Sequence, residues 1–183
     1  MNVLLEQLEE FNARLIACGA RYALIGGLAL SAHQLPRATQ DIDFLLNRLD
    51  ADIVDALLTS LGYSCIHRSE DAANYRRGAG AIDFIYAYRP RALLLIETAQ
   101  LRQVGAQSLN VVTVEGLIGL KLQALTNDPR RVQDGVDIRN LIEKHHADLN
   151  LTQLYDYFLL FDKTALYDEL INPTNERGIV WHR

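Results

Sequence analysis

The chain has 183 residues, 49% hydrophobic and 22% charged, enough for one medium domain or a domain with a small appendage. Its net charge of −5 argues against a non-specific nucleic-acid binder, which needs a basic face, but leaves room for a specific nucleic-acid substrate. Two cysteines, Cys18 and Cys65, without CxxC or CxxH spacing, give neither a disulfide framework nor a structural zinc site.

The start, MNVLLEQLEEFNARL, is acidic and amphipathic rather than a signal peptide. Leu4, Leu5, Leu8, Phe11, Leu15 and Ile16 recur at helical spacing, which predicts a helix over 3–17 capped by Gly19. A short buried strand follows at 22–26 and stops at Gly26-Gly27. A short helix over 28–34 is closed off by Pro36. Residues 41-DIDFLL-46 read as a second strand. 52-DIVDALLTSLGY-63 reads as a helix with Asp50 or Asp52 placed to cap it. Three β-like pieces come next, at 63–68, 73–77 and 81–88, with a turn at Arg77–Gly80 between the last two. A helix over 91–99 and a strand over 108–113 complete a mixed region. From residue 114 the pattern is helical, over 114–126, 130–145, 151–161 and 163–170, and the tail 172–183 carries no clear element. The expected class is α+β: a core over 1–113 with a mixed sheet, and a helical segment over 114–183 packed on it. No apolar run approaches the roughly 20 residues that span a bilayer, so no membrane partner and a cytoplasmic location are expected.

Asp41 and Asp43 stand two apart in an apolar strand. Alternate residues of a strand share a face, with Cα atoms about 6–7 Å apart. Two ionised carboxylates so close repel unless a cation lies between them. Salt bridges, a solvated strand face or bound metal would each account for the pair, and hard oxygen ligands suit Mg²⁺ or Mn²⁺. Asp83, in 81-AIDFIYA-87, is a third acid in an apolar strand and the natural candidate to complete a two-metal site. The glycines before the short helix permit close approach of a phosphate, and Ser31 adds a hydroxyl donor.

Hydrophobic-Gly-Gly, thirteen intervening residues, Asp-hydrophobic-Asp, then a later hydrophobic-Asp-hydrophobic strand resembles the DNA polymerase β-like nucleotidyltransferase superfamily. Within it, 37-RATQDIDFLL-46 resembles the AbiEii-type branch, which includes toxins of toxin–antitoxin systems. Lys121 in 117-LIGLKLQAL-125 and the stretch 133-QDGVDIRNLI-142 match a Lys helix and a K-D-x-x-D helix of that branch, so the likeness spans about residues 22–142. Gln133 departs from the lysine usual there.

The resemblance implies transfer of a nucleoside monophosphate from an NTP to a hydroxyl, with release of pyrophosphate and two Mg²⁺ or Mn²⁺ ions. It implies that Asp41, Asp43 and Asp83 hold metal and that Asp83 takes the acceptor proton. Gly26, Gly27, Ser31 and Arg37 would contact the triphosphate and Lys121 would neutralise its charge, with Thr39, Asp134 and Asp137 in support. The alternative for Lys121 is a surface lysine lying along its helix. Asp134 and Asp137 share a helix face and would orient Lys121 or Arg37, or be exposed. Arg76 and Arg77 suit either a positive rim for the acceptor or a solvated turn. His33, His145 and His146 read as structural. The acceptor would be tRNA, a protein or a small molecule, and a toxin would have an antitoxin partner. The competing readings are a non-catalytic nucleotide-binding or interaction module and, last, a metal-dependent phosphohydrolase.

Overall fold

The structure, a computed structural model, describes residues 3–172; the predicted featureless tail from 173 onward lies outside them. The chain divides into two compact units, Met1–Thr113 and Val114–Arg183.

The first unit carries α1 (Val3–Ala17), β1 (Tyr22–Ile25), α2 (Gly26–Ala32), β2 (Asp41–Asn47), α3 (Ala51–Ser60), β3 (Ser64–Arg68), β4 (Ala72–Arg77), β5 (Gly80–Ala87), α4 (Pro90–Glu97), β6 (Gln100–Val104) and β7 (Gln107–Val111). The strands form one mixed sheet of order β3-β4-β5-β2-β1-β7-β6. The pairs β2–β5 and β1–β7 are parallel and the others antiparallel. The class is α+β, as expected.

Strand parity divides the sheet into two unlike faces. Leu24, Ile42, Phe44, Ile82, Phe84 and Tyr75 all lie on one of them and are buried. Phe11 of α1 reaches the same face, with ring centroids 5.9 Å from Phe44 and 6.1 Å from Phe84. Tyr22 meets Phe44 edge-on at 5.4 Å, and such aromatic pairs add about 0.5–1.5 kcal/mol beyond their buried area. Leu8 and Leu15, together with Phe11, make the buried stripe of α1. The helix ends as the Gly19 signal predicts: Gly19 N–H donates to the Ile16 carbonyl and Ala20 N–H to that of Leu15. Asn12 accepts from the Tyr22 hydroxyl and donates to Gln107, tying α1 to β1 and β7.

Three local readings change. Strand β6 was not expected, because Gln100–Val104 is a mostly exposed edge strand without an apolar alternation. Helix α2 starts at Gly26 rather than at residue 28. Asp50 precedes α3 but makes no side-chain cap; its carboxylate instead accepts from the Arg21 backbone N–H and guanidinium at 2.9–3.0 Å.

The second unit holds α5 (Val114–Asn127), α6 (Val132–His145), α7 (Leu151–Leu160) and α8 (Thr164–Ile171). Leu117, Ile118, Leu122, Ile138, Leu141, Leu154 and Phe158 are among its buried apolar side chains. No helix among the described residues is long and apolar enough to cross a membrane.

Candidate active site

Beneath the apolar face of the sheet lies its opposite, where the acids are. Asp43 and Asp83 are direct register partners on the parallel strands β2 and β5, and Asp41 pairs with Ala81 two residues earlier on the same face. Neighbouring strands lie about 4.8 Å apart, so the Asp43 and Asp83 side chains rise next to each other. Ile42, between the two β2 acids, is fully buried on the far side. The row continues on both flanks: Ile25 of β1 pairs with Asp43, and Asn74 of β4 pairs with Asp83.

The two glycines have a specific steric role. Gly26 has φ +66°, a conformation that L side chains rarely adopt. A Cβ there would lie 2.5 Å from Asp43 Cγ and 2.7 Å from its Cβ. At Gly27 a Cβ would lie 2.7 Å from Thr39 Cβ and 2.8 Å from Thr39 Oγ1. Each glycine therefore admits one side chain of the chain leading into and along β2. Thr39 also donates to the Asp41 carbonyl at 3.3 Å.

Ser31, Arg37 and Thr39 line a cleft of about 460 Å³ whose apolar wall includes Leu4, Leu28 and Val104. None of the three aspartates lines it. Of the nucleotide-contact residues read from the sequence, Gly26 lies beside the acids, Ser31 and Arg37 line the cleft, Gly27 lies between them against the supporting Thr39, and Lys121 belongs to the second unit. The Ser31 hydroxyl donates to the Gly27 carbonyl at 3.4 Å, and Arg37 is exposed.

Asp83 Oδ1 accepts from Arg76 Nη1 at 3.0 Å. Arg77, one residue on, turns to the other face and bonds Glu10 and the Leu61 carbonyl. The expected positive rim therefore splits in two, and only Arg76 joins the acids. Sequence reasoning missed Asn74 as a member of this face and read Arg76 only together with Arg77, as a rim or a solvated turn; the alternation of β4 was the available signal. Among the described residues, no three His, Cys, Asp or Glu side chains converge as a ready metal cage, and Asp83 is turned to Arg76. The donor chemistry nonetheless fits a hard divalent cation: three carboxylates on one face, beside a backbone cradle at Gly26 that a Cβ would fill.

In the second unit Lys121 is buried, and its Nζ donates to Asp134 at 2.8 Å and Asp137 at 2.7 Å, both also buried. This replaces the reading of Lys121 as a surface lysine and of the two acids as exposed. Arg131 donates to the second oxygen of Asp134 at 2.6 Å, and Gln133, which stands where lysine was expected, donates to Asp137 at 3.0 Å. Burial pushes the Asp134 carboxyl up, but the hydrogen bonds from Lys121 and Arg131 outweigh it and hold it below its ordinary value. His33 is buried in the first unit with Nε2 2.8 Å from the Val112 carbonyl, a bond between α2 and the end of β7.

The family profile described as "Nucleotidyl transferase AbiEii toxin, Type IV TA system" matches residues 13–178. The chain belongs to the AbiEii nucleotidyltransferase family. No curated protein sequence matches it significantly. Solved structures similar to this AbiEii chain share its fold at low identity. ANT(2")-Ia in complex with adenylyl-2"-tobramycin aligns with TM-score 0.68 and 13% identity, over 90% of this chain and 99% of that one. An antigenic nucleotidyltransferase-like protein from Paracoccidioides brasiliensis aligns with TM-score 0.56 and 18% identity, over 91% of each chain. The lincosamide antibiotic adenylyltransferase LnuA, lincomycin-bound, gives 0.55 and 15%, over 77% of this chain and 98% of that one.

Proposed function

We propose that the chain transfers a nucleoside monophosphate from an NTP to a hydroxyl acceptor and releases pyrophosphate. The observation that carries this is the in-register pair Asp43–Asp83, with Asp41 on the same face and the Gly26 turn against Asp43. Asp41, Asp43 and Asp83 would hold Mg²⁺ or Mn²⁺, two ions per site, which would neutralise phosphate charge and favour the ionised acceptor.

The acceptor oxygen bonds to the α-phosphorus. The α–β bridging P–O bond breaks, and pyrophosphate leaves with its electron pair. The hydroxyl proton passes to the Asp83 carboxylate. The triphosphate lies along the Gly26–Gly27 turn, with Ser31 and Arg37 beyond it. Positioning and charge neutralisation supply most of the catalysis in such transfers. Lys121 Nζ gives two of its three N–H donors to Asp134 and Asp137, so its first role is to neutralise that pair.

The acceptor is tRNA, a protein or a small molecule. Family membership makes toxin action, a cognate antitoxin and a cytoplasmic site of action, where NTPs are plentiful, part of the proposal. The test is incubation with each α-³²P-labelled NTP, Mg²⁺ or Mn²⁺, and separate pools of tRNA, protein and small hydroxyl compounds. Label transferred by the wild type and not by Asp41→Ala/Asp43→Ala supports the reading; equal transfer by both refutes it. The Arg76–Asp83 ion pair favours a second reading, a nucleotide-binding module without turnover. Metal-independent NTP binding with no transfer to any pool would favour that one.

A further inference from the structure

Two flanks border the acid row. On the β1 side, Ile25 pairs with Asp43, and the chain turns at Gly26 directly against the Asp43 carboxylate. That flank belongs to the triphosphate in the reading above, on which this inference rests. The acceptor must bring its hydroxyl to Asp83, and Asp83 is bordered on its other side by β4, where Asn74 is its direct partner.

Arg76 lies two residues from Asn74 on the same face, opposite Ala81. A diagonal neighbour across an antiparallel pair sits about 7–8 Å away, within reach of a long side chain. Ala81 carries only a methyl group, which leaves room for the guanidinium to cross to Asp83. Both hydrogens of Nη1 are used, one on Asp83 and one on the Tyr75 carbonyl at 3.2 Å. Nε and Nη2 are not part of these bonds. The Arg76 side chain is 42% exposed and Asp83 25%, so the pair is at the surface and readily exchanged.

We propose that Arg76 is a positioning residue on the acceptor side of the site: it caps Asp83 in the unloaded protein and turns to an anionic oxygen of the acceptor when Asp83 is engaged. Charge and geometry select the ligand chemistry. An arginine over β4 recognises a phosphate or carboxylate close to the acceptor hydroxyl, and it repels an acceptor that is positively charged there. The cap also keeps two neighbouring carboxylates, Asp43 and Asp83, from standing uncompensated side by side.

The test has two readouts on Arg76→Gln, with Arg77→Gln as the control because Arg77 faces away from the acids. The first is Mn²⁺ binding followed by electron paramagnetic resonance without nucleotide or acceptor. Release of the cap tightens Mn²⁺ in Arg76→Gln by about two- to fivefold, the range of a surface ion pair, and leaves Arg77→Gln at wild-type affinity. The second is transfer kinetics on the acceptor pool labelled by the wild type. The acceptor KM rises about tenfold, as for the loss of a charged hydrogen bond, while the NTP KM is unchanged. For a polyanionic acceptor the salt dependence of binding also falls by about one phosphate contact; for a small phosphate or carboxylate acceptor it does not, and the two sources of the anion are thereby separated. Unchanged Mn²⁺ affinity, equal tightening in Arg77→Gln, or an unchanged acceptor KM overturns the proposal. Absence of transfer by the wild type to any pool refutes the function instead, and the Mn²⁺ arm still tests the cap.

Discussion

Substituting Gly26 with alanine separates the steric role of this glycine from its folding role. The residue sits at φ +66°, where an L side chain costs about 1–2 kcal/mol. The unfolded chain loses some freedom with alanine, which offsets about 0.4–1 kcal/mol of that. The added Cβ would stand 2.5 Å from Asp43 Cγ and 2.7 Å from its Cβ; a new rotamer moves only the carboxylate, so β1 must also part slightly from β2, at about 1 kcal/mol more. The net loss is about 1–3 kcal/mol, or a fall in Tm of about 3–10 °C for a chain of this size. Calorimetry of Gly26→Ala should find a folded protein within that range. The functional loss should be far larger, because a misplacement of about 1 Å in a reacting group costs about a hundredfold in rate. Labelled-NTP transfer by Gly26→Ala within about threefold of wild type would refute the argument that this glycine exists to seat Asp43.

Other substitutions test the packing of each unit. Lys121→Met leaves Asp134 and Asp137 buried without their ammonium and should cost about 3–5 kcal/mol in urea denaturation, whereas Lys121→Met/Asp134→Asn/Asp137→Asn should recover most of it. Phe84→Ala empties the centre of the aromatic cluster over the apolar face and should cost about 3–5 kcal/mol by the same measurement. Asp134 is held below the ordinary carboxylate value in the folded protein. Its contribution to stability is therefore present above the unfolded value, about pH 4, and is lost as pH falls through the lower folded value. Melting curves between pH 7 and 3 should show an acid-induced fall in Tm that Asp134→Asn makes shallower.

Much of the candidate site could be read from the chain because it rests on strand parity. Asp41, Ile42 and Asp43 alternate as acid, apolar, acid, so one face of β2 had to carry both carboxylates; Asp83 sits in an equivalent pattern. The register that makes Asp43 and Asp83 neighbours is a long-range fact, set by the parallel pairing of β2 with β5. The same limit explains Lys121, whose carboxylate partners come from the next helix; nothing local distinguishes a lysine that will be buried between acids from one that lies along a surface. Asp50 looked like a cap from its position before α3, yet Arg21, 29 residues away, competes for its carboxylate with three hydrogen bonds. Strand β6 escaped because an exposed edge strand need not alternate. The glycine pair was legible as a turn, whereas its fit to Thr39 and Asp43 emerges only once α2 lies against β2.

The proposed function turns on Asp83 taking the proton of the acceptor hydroxyl, on a site where Asp41 and Asp43 hold the metal that binds the nucleotide. Its most direct measurement is Asp83→Asn, compared with wild type for NTP binding by calorimetry in the presence of Mg²⁺ and for single-turnover transfer of α-labelled nucleotide. The account predicts NTP binding within an order of magnitude of wild type and transfer reduced by at least about a hundredfold. Transfer at the wild-type rate by Asp83→Asn would contradict it.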